Sequence, residues 1–167
     1  NQEVYQVDIP GYQDFLASIY ELKRDQWRDR LVFNGNWRTI QKMEVIYPEK
    51  LDKNLLIRFK ETFYEVDGLT QIDSSAVVAY LNQFKYMQAN ERISVGFSPA
   101  YDSLSQTTPE VIISLSDIKY KLPIEIRIFP QLPGQNIRLI MDQDDELMVF
   151  ESKRILPYFK SRTDFAF

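Results

Sequence analysis

Met43-Glu44-Val45-Ile46-Tyr47-Pro48, Leu55-Leu56-Ile57-Arg58-Phe59 and Phe63-Tyr64-Glu65-Val66-Asp67-Gly68 follow one another within a short stretch of chain. Met43, Val45 and Tyr47 alternate with their neighbours up to a proline. The second run is apolar for most of its length, and the third closes on Asp-Gly, a strong turn signal. Alternation at period two turns one face of a strand toward a core, and short connections between such runs favour antiparallel pairing. These residues predict an antiparallel meander.

Working outward from the meander, Asp73 or Ser74 is the expected N-cap of a helix, because either side chain can accept from the first free N–H groups. Ala76, Val77, Tyr80, Leu81, Phe84 and Met87 then recur at helical spacing, predicting a helix as far as about Gln88. Ser98, Pro99, Ser103, Ser105, Gln106, Thr107 and Thr108 fall between Gly96 and Pro109 without periodicity, which predicts a long surface loop. Strands resume at Val111-Ile112-Ile113-Ser114-Leu115. Ile124, Ile126 and Ile128 alternate with Glu125 and Arg127, and a further strand is expected over 137–141, beyond the break from Pro130 to Gly134. Asp142-Gln143-Asp144-Asp145 predicts a hairpin turn into 147–150, and Ser152 opens a last helix carrying Ile155, Leu156 and Phe159.

Toward the N-terminus, Glu3-Val4-Tyr5-Gln6-Val7 reads as a short strand, and Phe15, Leu16, Ile19, Tyr20 and Leu22 as the apolar face of a helix over 12–23. Trp27-Arg28-Asp29-Arg30-Leu31-Val32-Phe33 follows, ended by the turn signal Asn34-Gly35-Asn36. This order of strand, helix and mixed run is matched in a loose, gapped way by 146–150, a helix with Ile155-Leu156, and 162–167. On that reading residues 1–33 close a preceding repeat and 40–167 form one complete repeat, within a single globular domain of 1–167. The expected fold class is α+β: an antiparallel β-sheet of meander strands with two to three helices packed on one face.

Composition narrows the chemistry. The 167 residues include 20 Lys+Arg, 24 Asp+Glu, no His and no Cys, for a net charge of −4. Zinc sites of Cys and His, thiolate nucleophiles, disulfides and imidazole-assisted triads are therefore excluded. The mildly acidic, mixed charge disfavours nucleic acid as a partner. No apolar run approaches the roughly 20 residues that span a bilayer. Asn1-Gln2-Glu3 carries neither a start Met nor the pattern of a signal peptide, so any anchor or targeting signal is expected upstream.

No motif carries catalysis. Asp142-Gln143-Asp144-Asp145-Glu146 fails as a calcium loop, since the sixth position is Leu147 in place of Gly and the twelfth is Lys153 in place of Glu. Lys23-Arg24-Asp25-Gln26-Trp27-Arg28-Asp29-Arg30, with Trp37-Arg38 nearby, interleaves bases and aromatics as single-strand binders do, but Asp25 and Asp29 offset the charge. Glu44, Glu61, Glu65 and Glu125 read as the solvated face of a half-buried sheet, with no pair singled out for glycoside chemistry. No glycine-rich phosphate loop is present, and no metal or cofactor is expected. Most of the 2 Trp, 10 Tyr and 11 Phe belong to a core. Tyr12, Tyr101, Tyr120 and Tyr158 fall at predicted loops or helix starts, where an amphipathic ring suits an interface. Trp27, Trp37, Arg38 and Tyr101 are the expected partner contacts.

The order of elements resembles the bacterial domain-of-unknown-function 4340 family. The resemblance is carried by Trp27 to Phe33, Ile40-Gln41-Lys42-Met43-Glu44-Val45, Leu56-Ile57-Arg58, Phe63-Tyr64-Glu65-Val66, Ile72-Asp73-Ser74-Ser75-Ala76-Val77, Leu81 and Glu91-Arg92-Ile93. It continues through Pro109-Glu110-Val111-Ile112-Ile113-Ser114-Leu115, Ile137-Arg138-Leu139 and Leu147-Met148-Val149-Phe150. Two positions depart: Tyr64 stands where the family has Trp, and Phe129-Pro130 where it has Gly. The resemblance implies a non-enzymatic, periplasmic or otherwise extracytoplasmic accessory module, repeated on a chain with a membrane anchor and partnered by a protein of the cell envelope such as an ABC transporter component. It implies no functional residue. The alternative is a carbohydrate-processing enzyme or sugar-binding module using surface aromatics and carboxylates; a deep cleft with two facing carboxylates would favour it, a shallow surface with an exposed strand edge the accessory module.

Overall fold

The computed structural model describes residues 29–94 and 96–167. Its strands are β1 (Leu31–Phe33), β2 (Ile40–Ile46), β3 (Leu55–Lys60), β4 (Phe63–Val66), β5 (Met87–Gln88), β6 (Glu91–Ile93), β7 (Val111–Asp117), β8 (Ile124–Gln131), β9 (Ile137–Met141) and β10 (Leu147–Glu151). Its helices are α1 (Ser74–Asn82), α2 (Pro99–Ser105) and α3 (Ser152–Ile155). The expected strand at 3–7 and helix at 12–23 lie outside the described residues, as does most of the first repeat segment.

The expected meander is present. Met43 opposes Ile57 and Val45 opposes Leu55, and Ile57 in turn opposes Val66. β2 also pairs with β7, which opens a second meander running through β8 and β9 to β10. β6 then adds beside β10, giving one antiparallel eight-stranded sheet in the order β4-β3-β2-β7-β8-β9-β10-β6. The fold is α+β.

Alternation decides which face is buried. Met43, Val45, Ile57, Ile113, Leu115, Ile126, Ile140 and Met148 share one cluster with Val77, Tyr80 and Leu81 of α1 and Ile155 of α3. Both helices therefore close the same face, as the apolar stripes required. The intervening residues Ile93, Phe129, Leu139 and Leu147 form a smaller cluster on the other face, under Tyr101 and Leu104 of α2.

Four local readings need correction. The helix expected to reach Gln88 ends at Asn82, tightens into a 3₁₀ turn at Gln83–Tyr86 and leaves as β5. Phe84 and Met87 stay buried, but Met87 and Gln88 pair with Phe33 and Leu31, so the last apolar positions of the stripe belong to a strand. The loop expected over 96–109 contains α2. Pro99 at its first turn presets the backbone, and Tyr101 and Leu104 supply its buried side. β8 runs through Pro130 instead of stopping before it, at a register shift between Ile128 and Gln131 where the missing N–H is tolerated. At the C-terminal end α3 is one turn long and continues as a 3₁₀ turn at Leu156–Tyr158; Tyr158 is buried there and Leu156 is half-exposed.

Pairing also sorts the connections by end. Ile40 opposes Asp117, Leu115 opposes Ile124, Lys60 opposes Phe63 and Leu147 opposes Met141. Residues 34–39, 61–62, 118–123 and 142–146 therefore emerge at one end of the sheet. Residues 47–54, 106–110 and 132–136 emerge at the other.

Candidate functional site

At the first end, the β7–β8 connection carries Ile118-Lys119-Tyr120-Lys121-Leu122, exposed throughout. Ile118 is 66% and Leu122 74% accessible, two exposed aliphatic side chains on one short connection. The tip is braced. Buried Asp117 accepts from the Thr39 hydroxyl at 2.5 Å and from the Lys119 N–H at 2.9 Å, while Ile118 N–H donates to Thr39 O at 3.0 Å. Lys119 Nζ donates to Asn34 O at 3.1 Å, and the Tyr120 ring lies 5.5 Å from Phe33. Residues 34–39 and the tip thus form one unit.

Trp37 and Arg38 sit in that unit. Trp37 is half-buried against the core, with the Arg38 guanidinium 5.2 Å from its ring centroid. The Tyr64 hydroxyl shares its one proton between Trp37 O and Ile40 O, fixing the backbone on which Trp37 stands. Burial, reinforced by the Asp117 carboxylate, pushes the Tyr64 phenol up to about 12. It stays a neutral donor at any physiological pH.

At the opposite end lies a cleft of about 420 Å³. Tyr47, Pro109, Pro130 and Phe159 supply its apolar lining, and Glu49, Lys50, Lys53, Glu110 and Asp164 its charges. Two of the acids are committed. Glu110 pairs with Arg138, whose guanidinium stands 5.1 Å from the Phe159 centroid. Asp164 accepts from Lys160 Nζ at 3.1 Å, Ser161 N–H at 2.8 Å and Ser161 Oγ at 3.0 Å. Burial pushes the Asp164 carboxyl up, but these hydrogen bonds outweigh it and hold the group below its usual range. The Tyr47 hydroxyl donates to Lys160 O at 3.0 Å; burial first, then Asp164 and Glu110, push its phenol up to about 12.

The chain matches no family model, no curated protein and no solved structure. Its functional reading therefore rests on the residues themselves. Of the four expected partner contacts, the structure brings Trp37 and Arg38 together at the first end. Tyr101 stands apart on α2, half-buried, with its ring stacked 6.0 Å from Phe97. Trp27 lies outside the described residues.

The acidic positions are dispersed. Glu44 pairs with Lys42, Glu65 with Lys60 and Glu125 with Arg127, each beside its own strand neighbour. In the β9–β10 turn, Asp142 Oδ1 accepts from the Asp144 and Glu146 N–H groups at 3.0 Å, and Asp145 takes a left-handed φ of 60°. That acid density shapes a turn. Arg92 of β6 bonds Asp142 and Glu146 on this turn and also the Asp29 and Leu31 carbonyls, tying the start of the described chain to the sheet edge.

Ile118 and Leu122 were not foreseen. Their signal was present: apolar and basic residues alternate from 118 to 122, with no opposing strand required between Asp117 and Pro123. The cleft had no local signal, because four separate segments build it.

Proposed function

We propose that the chain is a non-enzymatic interaction module that docks an acidic-faced protein partner through the 118–122 tip together with Trp37 and Arg38. The braced tip is the observation that carries this reading. A held hairpin exposing Ile118 and Leu122 forgoes roughly 1.5 to 3 kcal/mol for each side chain left in water, and a partner surface recovers it. Lys119 and Lys121 alternate with the aliphatic groups along the tip and Arg38 stands on the loop braced against it, so the end is basic, which selects an acidic face and speeds encounter. Among the described residues β4 pairs only with β3, and that edge is a further shallow feature of the kind an accessory module offers. The order of elements that resembles the domain-of-unknown-function 4340 family is what supports an extracytoplasmic setting, attached to a transporter-like assembly in the membrane.

A photo-crosslinking residue at 122 should give a discrete adduct with an envelope protein in cells, and Lys119→Glu with Lys121→Glu should remove it. Adducts no stronger than those from a crosslinker at position 51, at the opposite end, would contradict the docking surface.

The cleft favours the rival reading of a carbohydrate-processing or sugar-binding module, since it joins carboxylates to aromatic walls. Against it, Glu110 and Asp164 are occupied by Arg138, Lys160 and Ser161, an arrangement suited to holding the walls. Hydrolysis of a glycan panel that vanished in Glu110→Gln would reverse the preference.

A further inference from the structure

The cleft at the end of the sheet away from the docking tip contains charge that the fold does not use. Glu110 and Asp164 are met by Arg138 and Lys160. Among the described residues, the side chains of Glu49, Lys50 and Lys53 have no ion pair or hydrogen bond, leaving two cations against one carboxylate. The main chain that carries these lysines is closed by hydrogen bonds. Lys50 N–H donates to Tyr47 O at 3.0 Å, Lys53 N–H to Lys50 O at 2.9 Å, and Tyr47 N–H to Asn54 Oδ1 at 2.8 Å.

We propose that this cleft binds a small carboxylic acid with a flat apolar body. The volume of about 420 Å³ falls within the usual range of small-ligand sites. Tyr47, Pro109, Pro130 and Phe159 offer flat apolar walls, and the Tyr47 hydroxyl, spent on Lys160 O, leaves that wall without a free donor. The carboxylate of the ligand meets Lys50 and Lys53, with the Thr108 hydroxyl on the lining as a neutral donor; the Ser161 hydroxyl is spent on Asp164. One net positive charge suits a monoanion. A phosphate dianion would meet Glu49 with too little compensation. The ligand site is independent of the docking surface, because the two lie at opposite ends of the strands.

The test is a titration of the isotope-labelled chain, followed by amide chemical shifts, with benzoate, benzylamine and benzyl alcohol as probes. Benzoate should give saturable shifts at Lys50, Lys53, Glu110, Phe159 and Ser161, binding at least about tenfold more tightly than the other two probes. Lys50→Gln with Lys53→Gln, both on exposed positions, should weaken benzoate by about tenfold or more and leave the rest of the spectrum in place. Absence of saturable shifts at the cleft, equal binding of benzylamine or benzyl alcohol, or unchanged benzoate binding by the double variant would overturn the proposal.

Discussion

Gly35 shows how closely single atoms govern the docking end. A Cβ built there would stand 2.4 Å from Asp117 Oδ2 and 2.6 Å from Phe33 Cε1. Neither neighbour has room to retreat, since Phe33 is in the core and Asp117 holds both Thr39 and Lys119. Gly35→Ala should therefore cost about 1 to 3 kcal/mol in a denaturation experiment, the usual penalty for overpacking. An unchanged midpoint would show that the two loops are not locked together. Tyr47 and Tyr64 act on the same scale through their protons. Their phenols are raised in the fold from 10.0 to about 12, so below pH 10 both states are protonated and the buried hydrogen bonds contribute fully. Between pH 10 and 12 the unfolded chain loses protons that the folded chain keeps, and stability must fall. A urea midpoint measured across that window should decline; a flat profile up to pH 12 would place these phenols in water.

At the scale of elements, the strands of the two meanders were legible because period-two alternation survives tertiary packing, whereas β5 was read as helix and β6 was not read as a strand. Met43, Val45 and Ile57 were readable by that alternation, and so were Ile126 and Ile128. The Asp73 cap was legible too, and its carboxylate accepts from Ser75 and Ala76 N–H at 2.9 and 3.0 Å. The α2 helix was not. Its polar composition hides two buried positions, Tyr101 and Leu104, over a second cluster that no single strand announces. The end of α1 was misjudged because Phe84 and Met87 satisfy the helical spacing while serving a turn and a strand. Leu81, fully buried in α1, measures how much that helix contributes. Leu81→Ala should cost about 2 to 5 kcal/mol, and an unchanged denaturation midpoint would mean that α1 does not close the main face. Arg92 governs a different element. Arg92→Ala should leave the sheet folded but accelerate hydrogen exchange at Ala89, whose N–H donates to Arg30 O at 2.9 Å. Unaltered exchange there would show that β1 is held without the arginine.

For the whole molecule, the long antiparallel sheet separates two surfaces of opposite character: an exposed aliphatic and basic tip at one end, and a walled cleft at the other. Trp37 and Arg38 drew notice in the sequence because bases interleave with aromatics there, and the fold sets them at the first end with Trp37 half-buried against the core. Sequence reasoning missed the cleft, whose walls come from 47–53, 108–110, Pro130 and 159–164 and meet only through the sheet. The central claim is that the tip is a docking surface. Its most direct measurement is the migration of the protein in a gentle detergent extract of its own host cells, compared with Ile118→Ser combined with Leu122→Ser. Both substitutions fall on exposed side chains, so the variant should fold as the original does. The account predicts that the original migrates in an assembly much larger than itself and that the variant migrates free of it. Migration of both in the same large assembly, or of both as the free protein, would contradict the account.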